Sequence, residues 1–107
     1  MITVKKFRNM LDKYGTFNYQ ISANRDPKGR RYFSGFITKP DSNIVVYLNT
    51  ESCYNPQVEN KCLIRYAKCT RDYTGGRNRF VMPLNMAFAI NQMFKSPKDY
   101  SREMEEN

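Results

Sequence analysis

The sequence predicts a single α+β domain: an antiparallel meander of 4–5 strands with an N-terminal and a C-terminal helix packed on one face. Three observations predict this class. Apolar residues recur at helical spacing near both ends of the chain, and between them they alternate with polar residues. Turn-forming residues separate the alternating runs at short intervals, as in consecutive hairpins. The length of 107 residues suits one compact domain.

The first helix is predicted over residues 4–14. Thr3 is a good N-cap for this helix, and Gly15 suits its end because glycine readily adopts the left-handed conformation of helix C-termini. Its apolar residues share one face, whereas the other face is rich in lysine and arginine. After Gly15 the period changes to two, which predicts a half-buried strand over residues 16–23.

Three further strands are predicted, each preceded by a turn or loop. Residues 24–29 contain Asp-Pro and Lys-Gly pairs with hairpin-turn chemistry, and they lead into a strand over Arg31–Thr38. Asn43–Asn49 is the most β-prone run and predicts the central strand. A polar loop then precedes Lys61–Thr70, whose irregular pattern fits a fourth strand or a short helix.

The next part of the chain is predicted as a turn, an extended segment and two helices. Tyr73–Asn78 contains paired glycines and indicates a flexible hairpin tip, with a phosphate-binding loop as the less favoured interpretation. Arg79–Met82 is a short fifth strand or extended chain. Helix 2 covers Leu84–Phe94 and is apolar around most of its girth, and Ser96 can cap a last short helix.

Charge separates the predicted domain, residues 1–97, from residues 98–107, which we expect to form an acidic, frayed tail. The domain carries 16 basic and 6 acidic side chains, and the tail carries 2 basic and 4 acidic ones. The whole chain has a formal net charge of +8, 8 Tyr, 7 Phe and no His. Because cationic groups displace phosphate counterions and aromatic faces stack on bases, this composition indicates a nucleic-acid or nucleoprotein partner.

Two basic clusters are the candidate nucleic-acid-binding sites. The first lies in the first hairpin and comprises Arg25, Lys28, Arg30 and Arg31. The second lies in the fourth strand and the segment after it, and it comprises Arg65, Lys68, Arg71, Arg77 and Arg79. Interleaved tyrosines are candidates for base stacking, namely Tyr32, Tyr66 and Tyr73. We expect the basic groups to gather into one contiguous cationic surface.

The same inventory predicts neither an enzyme nor a cofactor. Without His, nucleophilic triads lack their usual base, and the carboxylates are scattered. Pro40-Asp41 and Glu59-Asn60-Lys61 resemble the Pro-Asp and Glu-x-Lys signature of a metal-dependent nuclease fold, in which carboxylates hold Mg²⁺. Both acids fall in predicted loops where that fold has strands, so a nuclease is the least favoured function.

The cysteines and the lengths of the apolar segments indicate the cellular compartment. Cys53, Cys62 and Cys69 form no C-x-x-C pair, and without His the chain lacks the usual remaining ligand of a structural zinc site. We therefore expect free thiols and no metal, while a disulfide between two of the three stays open. No leader-like or membrane-spanning apolar run occurs, so the predicted location is cytoplasmic and no membrane partner is expected.

Helix 2 offers an alternative to nucleic-acid binding. The favoured interpretation is that its apolar surface is buried within the domain, but this surface also suits a homodimer interface or a docking face for a larger protein.

The chain resembles the small accessory proteins of phages and mobile elements of low-GC bacteria. The resemblance lies in the small size, the Lys/Asn/Tyr-rich composition and the lack of a catalytic set. Within that group the chain is similar in general character to anti-CRISPR inhibitors, which block a nucleic-acid-guided nuclease stoichiometrically. Many of those inhibitors are acidic mimics of nucleic acid. A basic chain of this type implies instead a clamp on guide RNA, target DNA or an acidic protein surface.

Overall fold

The computed structural model describes residues 1–105 and confirms the α+β class. In chain order the elements are α1 (Val4–Asp12), β1 (Asn18–Arg25), β2 (Arg31–Thr38), β3 (Val45–Asn49), β4 (Cys62–Cys69), β5 (Asp72–Gly75), β6 (Arg79–Val81), α2 (Met86–Phe94) and α3 (Pro97–Glu105). As predicted, Thr3 caps α1, and its hydroxyl accepts a hydrogen bond from the amide of Lys6 at 3.1 Å. Within the described residues, no helix is both long enough and apolar enough to cross a membrane.

The six described strands form one antiparallel sheet. Strands β1 to β4 are neighbours in chain order, as the predicted meander requires. The short strands β5 and β6 share the remaining edge of β4: Gly75 of β5 pairs with Ala67, and Val81 of β6 pairs with Cys62. The fourth predicted element is therefore a strand, and its alternative as a short helix is wrong.

The helices pack against one face of the sheet, which we call the helix-side face. Phe33 and Ile37 of β2 and Leu48 of β3 point to this face and are buried. They share one core cluster with residues of α1 and α2, and the ring of Phe7 lies 5.8 Å from that of Phe33. Burial of each such side chain stabilises the fold by about 1.5–3 kcal/mol.

The paired glycines are not a flexible hairpin tip, which corrects the prediction. Gly75 belongs to β5, and the amide of Gly76 donates a hydrogen bond to the Tyr66 carbonyl at 2.9 Å. A Cβ on Gly76 would lie 3.0 Å from the Tyr66 Cβ. A side chain here would crowd Tyr66, because the chain passes close to β4.

Residues 98–105 also differ from the predicted frayed tail, because they belong to α3 and pack on the domain. The Glu103 side chain is 3% exposed, and both its oxygens bind the Arg79 guanidinium. The Tyr100 ring packs edge-on against Tyr66 with centroids 5.3 Å apart. The last two residues of the predicted tail lie outside the described part of the chain.

A disulfide joins Cys53 and Cys62, with the two Cα atoms 5.1 Å apart. It links the 3-10 turn after β3 (Thr50–Tyr54) to the first residue of β4. Cys69 is an exposed free thiol. The expectation of free thiols is thus wrong for two of the three cysteines, because the turn brings together residues that are nine positions apart.

Candidate functional site

The basic groups of the first hairpin are partly neutralised. Nε of Arg30 lies 2.7 Å from the Asp26 carboxylate, which is buried, and its guanidinium stacks over the Tyr54 ring at 4.5 Å. The Arg25 guanidinium donates a hydrogen bond to the Gly29 carbonyl at 3.0 Å. Arg30 is therefore engaged in holding the turn together.

The remaining hairpin groups do not share one surface. Arg25 pairs with Arg31 across β1 and β2, and by strand alternation both belong to the helix-side face, like Phe33. Lys28 is exposed in the turn between the strands. The hairpin therefore presents its charges in different directions.

The second basic cluster is also divided between faces. Arg79 belongs to the helix-side face, where it pairs with Glu103, and Arg77 precedes it beside α3. Lys68 shares the alternation of the helix-side residues of β4 but is exposed near the strand end. Only Arg65 and Arg71 lie together toward the opposite face. The predicted single cationic surface is therefore wrong.

The stacking candidates have different environments. Tyr66 is fully buried, and its hydroxyl donates a hydrogen bond to the Met93 carbonyl at 2.7 Å. Tyr66 is therefore a core residue, and the stacking prediction is wrong for it. The same burial raises the pKa of Tyr66 to about 12. Tyr32 is half-buried, whereas Tyr73 is 54% exposed, and both lie on the sheet face that carries no helix.

We call that surface the open face. Its side chains, set by the strand register, are Asn18, Gln20, Ser22 and Asn24 of β1; Tyr32, Ser34, Phe36 and Thr38 of β2; Val45, Tyr47 and Asn49 of β3; and Leu63, Arg65 and Ala67 of β4. None of these positions is Asp or Glu. A polyanion lying on the open face would therefore meet no carboxylate from these four strands.

One row of paired residues crosses the open face, and we call it the central row: Gln20, Phe36, Tyr47 and Arg65. The Phe36 and Tyr47 rings are 5.4 Å apart, and Tyr73 of β5 continues the row at 5.3 Å from Tyr47. The Tyr47 hydroxyl accepts a hydrogen bond from the Asn49 amide at 3.0 Å, which orients the ring. Three aromatic rings thus form a continuous strip across the open face.

Arg65 anchors this strip. Its guanidinium carbon lies 5.6 Å from the Tyr47 ring centre and 5.7 Å from that of Tyr73, which is cation–π geometry. Its Nε is buried and has no hydrogen-bond partner. Among residues 1–105, neither Arg65 nor Arg71 forms an ion pair. The Arg65 guanidinium thus lies beside the rings without an ion pair, and Arg71 lines a depression that Tyr47 and Tyr73 also line.

The β4–β5 connection forms one side of a depression on the open face. Thr70 and Arg71 lie between β4 and β5, yet they line the same depression as Gln20 of β1. The turn therefore reaches across the sheet. The depression has a volume of about 500 Å³, within the usual range of small-ligand sites.

The nearest acid to this turn is Asp72. Its carboxylate accepts hydrogen bonds from the Thr74 hydroxyl at 2.6 Å and from the Thr74 amide at 3.0 Å. These bonds hold the pKa of Asp72 below its ordinary value. The positive charge of Lys68 acts in the same direction, so Asp72 stays ionised.

The acids of the nuclease hypothesis do not come together. Asp41 precedes β3 and Glu59 follows it, so they lie at opposite ends of that strand. Glu59 forms an ion pair with Lys61 at 3.2 Å. Among residues 1–105, no three metal-ligating side chains are grouped as a metal ion would require.

Helix α2 is only partly buried in the core. Met86, Ile90 and Met93 are buried, as the favoured interpretation requires. Phe88 is 54% exposed and contacts the Tyr14 ring at 6.3 Å. An apolar patch therefore remains on the surface around the start of α2, although most of the helix is internal.

Comparisons with protein-family models, with curated proteins and with solved structures found no match. Phe36, Tyr47 and Gln20 were not among the predicted site residues. Strand alternation alone places Phe36 opposite the buried Phe33 and Ile37. That alternation is the available signal for the open face, although phenylalanine is so often buried that residue type alone favours the core for Phe36.

Proposed function

We propose that this chain is a non-enzymatic module that binds nucleic acid through its open face. The observation that carries the proposal is the central row, in which two contacting aromatic rings and an unpaired guanidinium share a surface whose positions on β1 to β4 carry no acid. Aromatic faces on a sheet stack bases, and guanidinium groups bind phosphates in a forked geometry. The net charge of +8 favours approach of a polyanion.

The test is fluorescence anisotropy with labelled single-stranded DNA, single-stranded RNA and duplex DNA at moderate salt. The decisive variant is Arg65→Gln/Arg71→Gln, which removes both open-face guanidinium groups. We expect it to weaken binding by about tenfold or more, the effect of losing charge-assisted contacts. The single variant Arg71→Gln, at an exposed turn, guards against a folding defect at the half-buried Arg65.

A charge-matched control is available on the opposite layer. Lys5 and Lys6 are exposed on α1, and Lys5→Gln/Lys6→Gln removes the same number of charges without touching the sheet. We expect this control to retain binding within about twofold, because long-range charge alone contributes weakly at moderate salt. Equal losses in both double variants, or no binding by the parent chain, would refute the proposal.

A second candidate function is stoichiometric inhibition of a guide-RNA nuclease by protein docking, the role implied by the resemblance to anti-CRISPR inhibitors. The exposed apolar patch favours it, since Leu84 is 62% exposed and Phe88 is 54% exposed. The test is a cleavage assay with a purified guide-RNA nuclease, comparing the parent chain with Phe88→Glu. Inhibition lost in Phe88→Glu but kept in Arg65→Gln/Arg71→Gln would favour docking over nucleic-acid binding.

A further inference from the structure

We propose that one unpaired nucleobase inserts into the depression beneath the β4–β5 turn, so that the ligand is single-stranded. This inference rests on the proposed nucleic-acid function and adds the form of the ligand. It concerns the volume of about 500 Å³ between the aromatic strip and the β1–β2 ladder.

The shape of the depression favours a base over a duplex. The depression is open to solvent and exposes aromatic rings, so a base that has left the helical stack can lie against them, whereas the bases of a duplex keep their faces stacked on each other. Thr70 and Arg71 provide one wall, and the backbone around Gly35 belongs to the same depression. A Cβ on Gly35 would lie 2.0 Å from the Gln20 carbonyl oxygen, so β1 and β2 pack closely at this point.

The lining provides both kinds of contact that a base needs. Phe36, Tyr47 and Tyr73 offer ring faces for stacking. Gln20, Ser22 and Ser34 offer an amide and two hydroxyls that can bind the polar edge of a base.

The polar groups of the lining are free to bind a ligand. Within residues 1–105, the side chains of Gln20, Ser22 and Ser34 make no hydrogen bond. Arg71 borders the same depression without an ion pair among the described residues, so a phosphate attached to the inserted base can reach it. The site thus combines stacking, edge recognition and one phosphate contact in a single place.

The experiment compares a fluorescein-labelled single strand with the duplex of the same sequence. The variant Ser34→Tyr fills the depression without changing charge, and Asn18→Tyr adds the same side chain to the open face outside it. We expect the parent to prefer the single strand by about tenfold, and Ser34→Tyr to lose that preference while Asn18→Tyr keeps it. A 2-aminopurine probe should be quenched on binding to the parent chain but not to Ser34→Tyr.

Thermal melting checks that each variant folds, and Tyr73→Ala replaces Ser34→Tyr if the latter does not. Because Tyr73 is exposed, its truncation removes one stacking face and should weaken single-strand binding by about five- to tenfold. Equal affinity for single strand and duplex, unchanged by the filling variant, would overturn base insertion while leaving nucleic-acid binding intact. No binding to either probe would overturn both proposals.

Discussion

Gly35 lies opposite Ile21 in the β1–β2 ladder, and its backbone leaves no room for a side chain. An added Cβ would lie 2.0 Å from the Gln20 carbonyl oxygen and 2.7 Å from the Ile21 Cα, both backbone atoms that cannot rotate away. We expect Gly35→Ala to lower the free energy of unfolding by about 2 kcal/mol, because overpacking forces the backbone apart and because the φ of +156° is itself unfavourable for a residue with a side chain. Urea denaturation followed by circular dichroism measures this change.

Gly29→Ala is the comparison for that experiment. A Cβ at Gly29 meets no atom within 4 Å, but the residue has a φ of +80°. Its substitution should therefore cost only the conformational term, about 1 kcal/mol. If both variants unfold at the same urea concentration, close strand packing at Gly35 is not what requires glycine.

Asp26 makes the stability of the first hairpin depend on pH. Removal from water would raise its pKa, but hydrogen bonds from the Arg30 amide and guanidinium and from the Lys28 amide hold the pKa below its ordinary value. A depressed folded-state pKa gives a stabilisation that is present above the unfolded value of about 3.9 and is lost as pH falls through the folded value.

The corresponding variant is Asp26→Asn. It should unfold at lower urea than the parent chain at pH 7, and the difference should vanish as the pH falls well below about 3.9, where the parent carboxyl is also protonated. The matched control is Asp41→Asn, which replaces an exposed carboxylate that has no ion pair among residues 1–105. A gap between Asp26→Asn and the parent that persisted at low pH would mean that the carboxylate charge is not what holds the turn.

Among the elements, α3 departs most from its sequence-based prediction. Its acidic composition suggested a solvated tail, yet Glu103 is buried and binds Arg79. We expect Glu103→Gln to lower the free energy of unfolding by about 2 kcal/mol, less than for a fully buried pair because the Arg79 side chain is partly exposed. Thermal or urea denaturation measures the change.

Glu105 provides the matched control, since it is an exposed acid on the same helix. Glu105→Gln should change stability by no more than about 0.5 kcal/mol. If both Glu103→Gln and Glu105→Gln are as stable as the parent chain, the Glu103–Arg79 pair does not stabilise the fold.

The elements that sequence predicted well are those with a regular period. Alternation identified β2 over Arg31–Thr38 without error at either end, and the N-cap at Thr3 fixed the start of α1. The sequence did not predict β5, because paired glycines such as Gly75 and Gly76 usually indicate a turn. In the structure, the pair instead allows the chain to pass close to Tyr66. Long-range contacts of this kind leave no periodic signal.

Across the whole molecule, the sequence gives the total charge but not the face to which each charge belongs. Arg31 and Arg65 look equivalent as exposed basic residues of strands, but register assigns one to the helix-side face and the other to the open face. Whether a cation is neutralised also depends on folding, because Glu103 reaches Arg79 from 24 residues away. The candidate site thus depends on strand register more than on composition.

The division of the basic residues between the two sheet faces determines how strongly the affinity for nucleic acid should depend on salt. If only Arg65 and Arg71 contact phosphates, the affinity for a single strand should fall with a log–log slope of about −1.4, or roughly sevenfold between 50 and 200 mM salt. A contiguous cationic surface that neutralised about five phosphates of duplex DNA would instead give a fall of roughly 500-fold. Anisotropy titrations at several salt concentrations separate these slopes. Arg65→Gln/Arg71→Gln should bring the slope close to zero, whereas Lys5→Gln/Lys6→Gln should leave it unchanged. A steep slope that survives in Arg65→Gln/Arg71→Gln would place the phosphate contacts elsewhere on the protein.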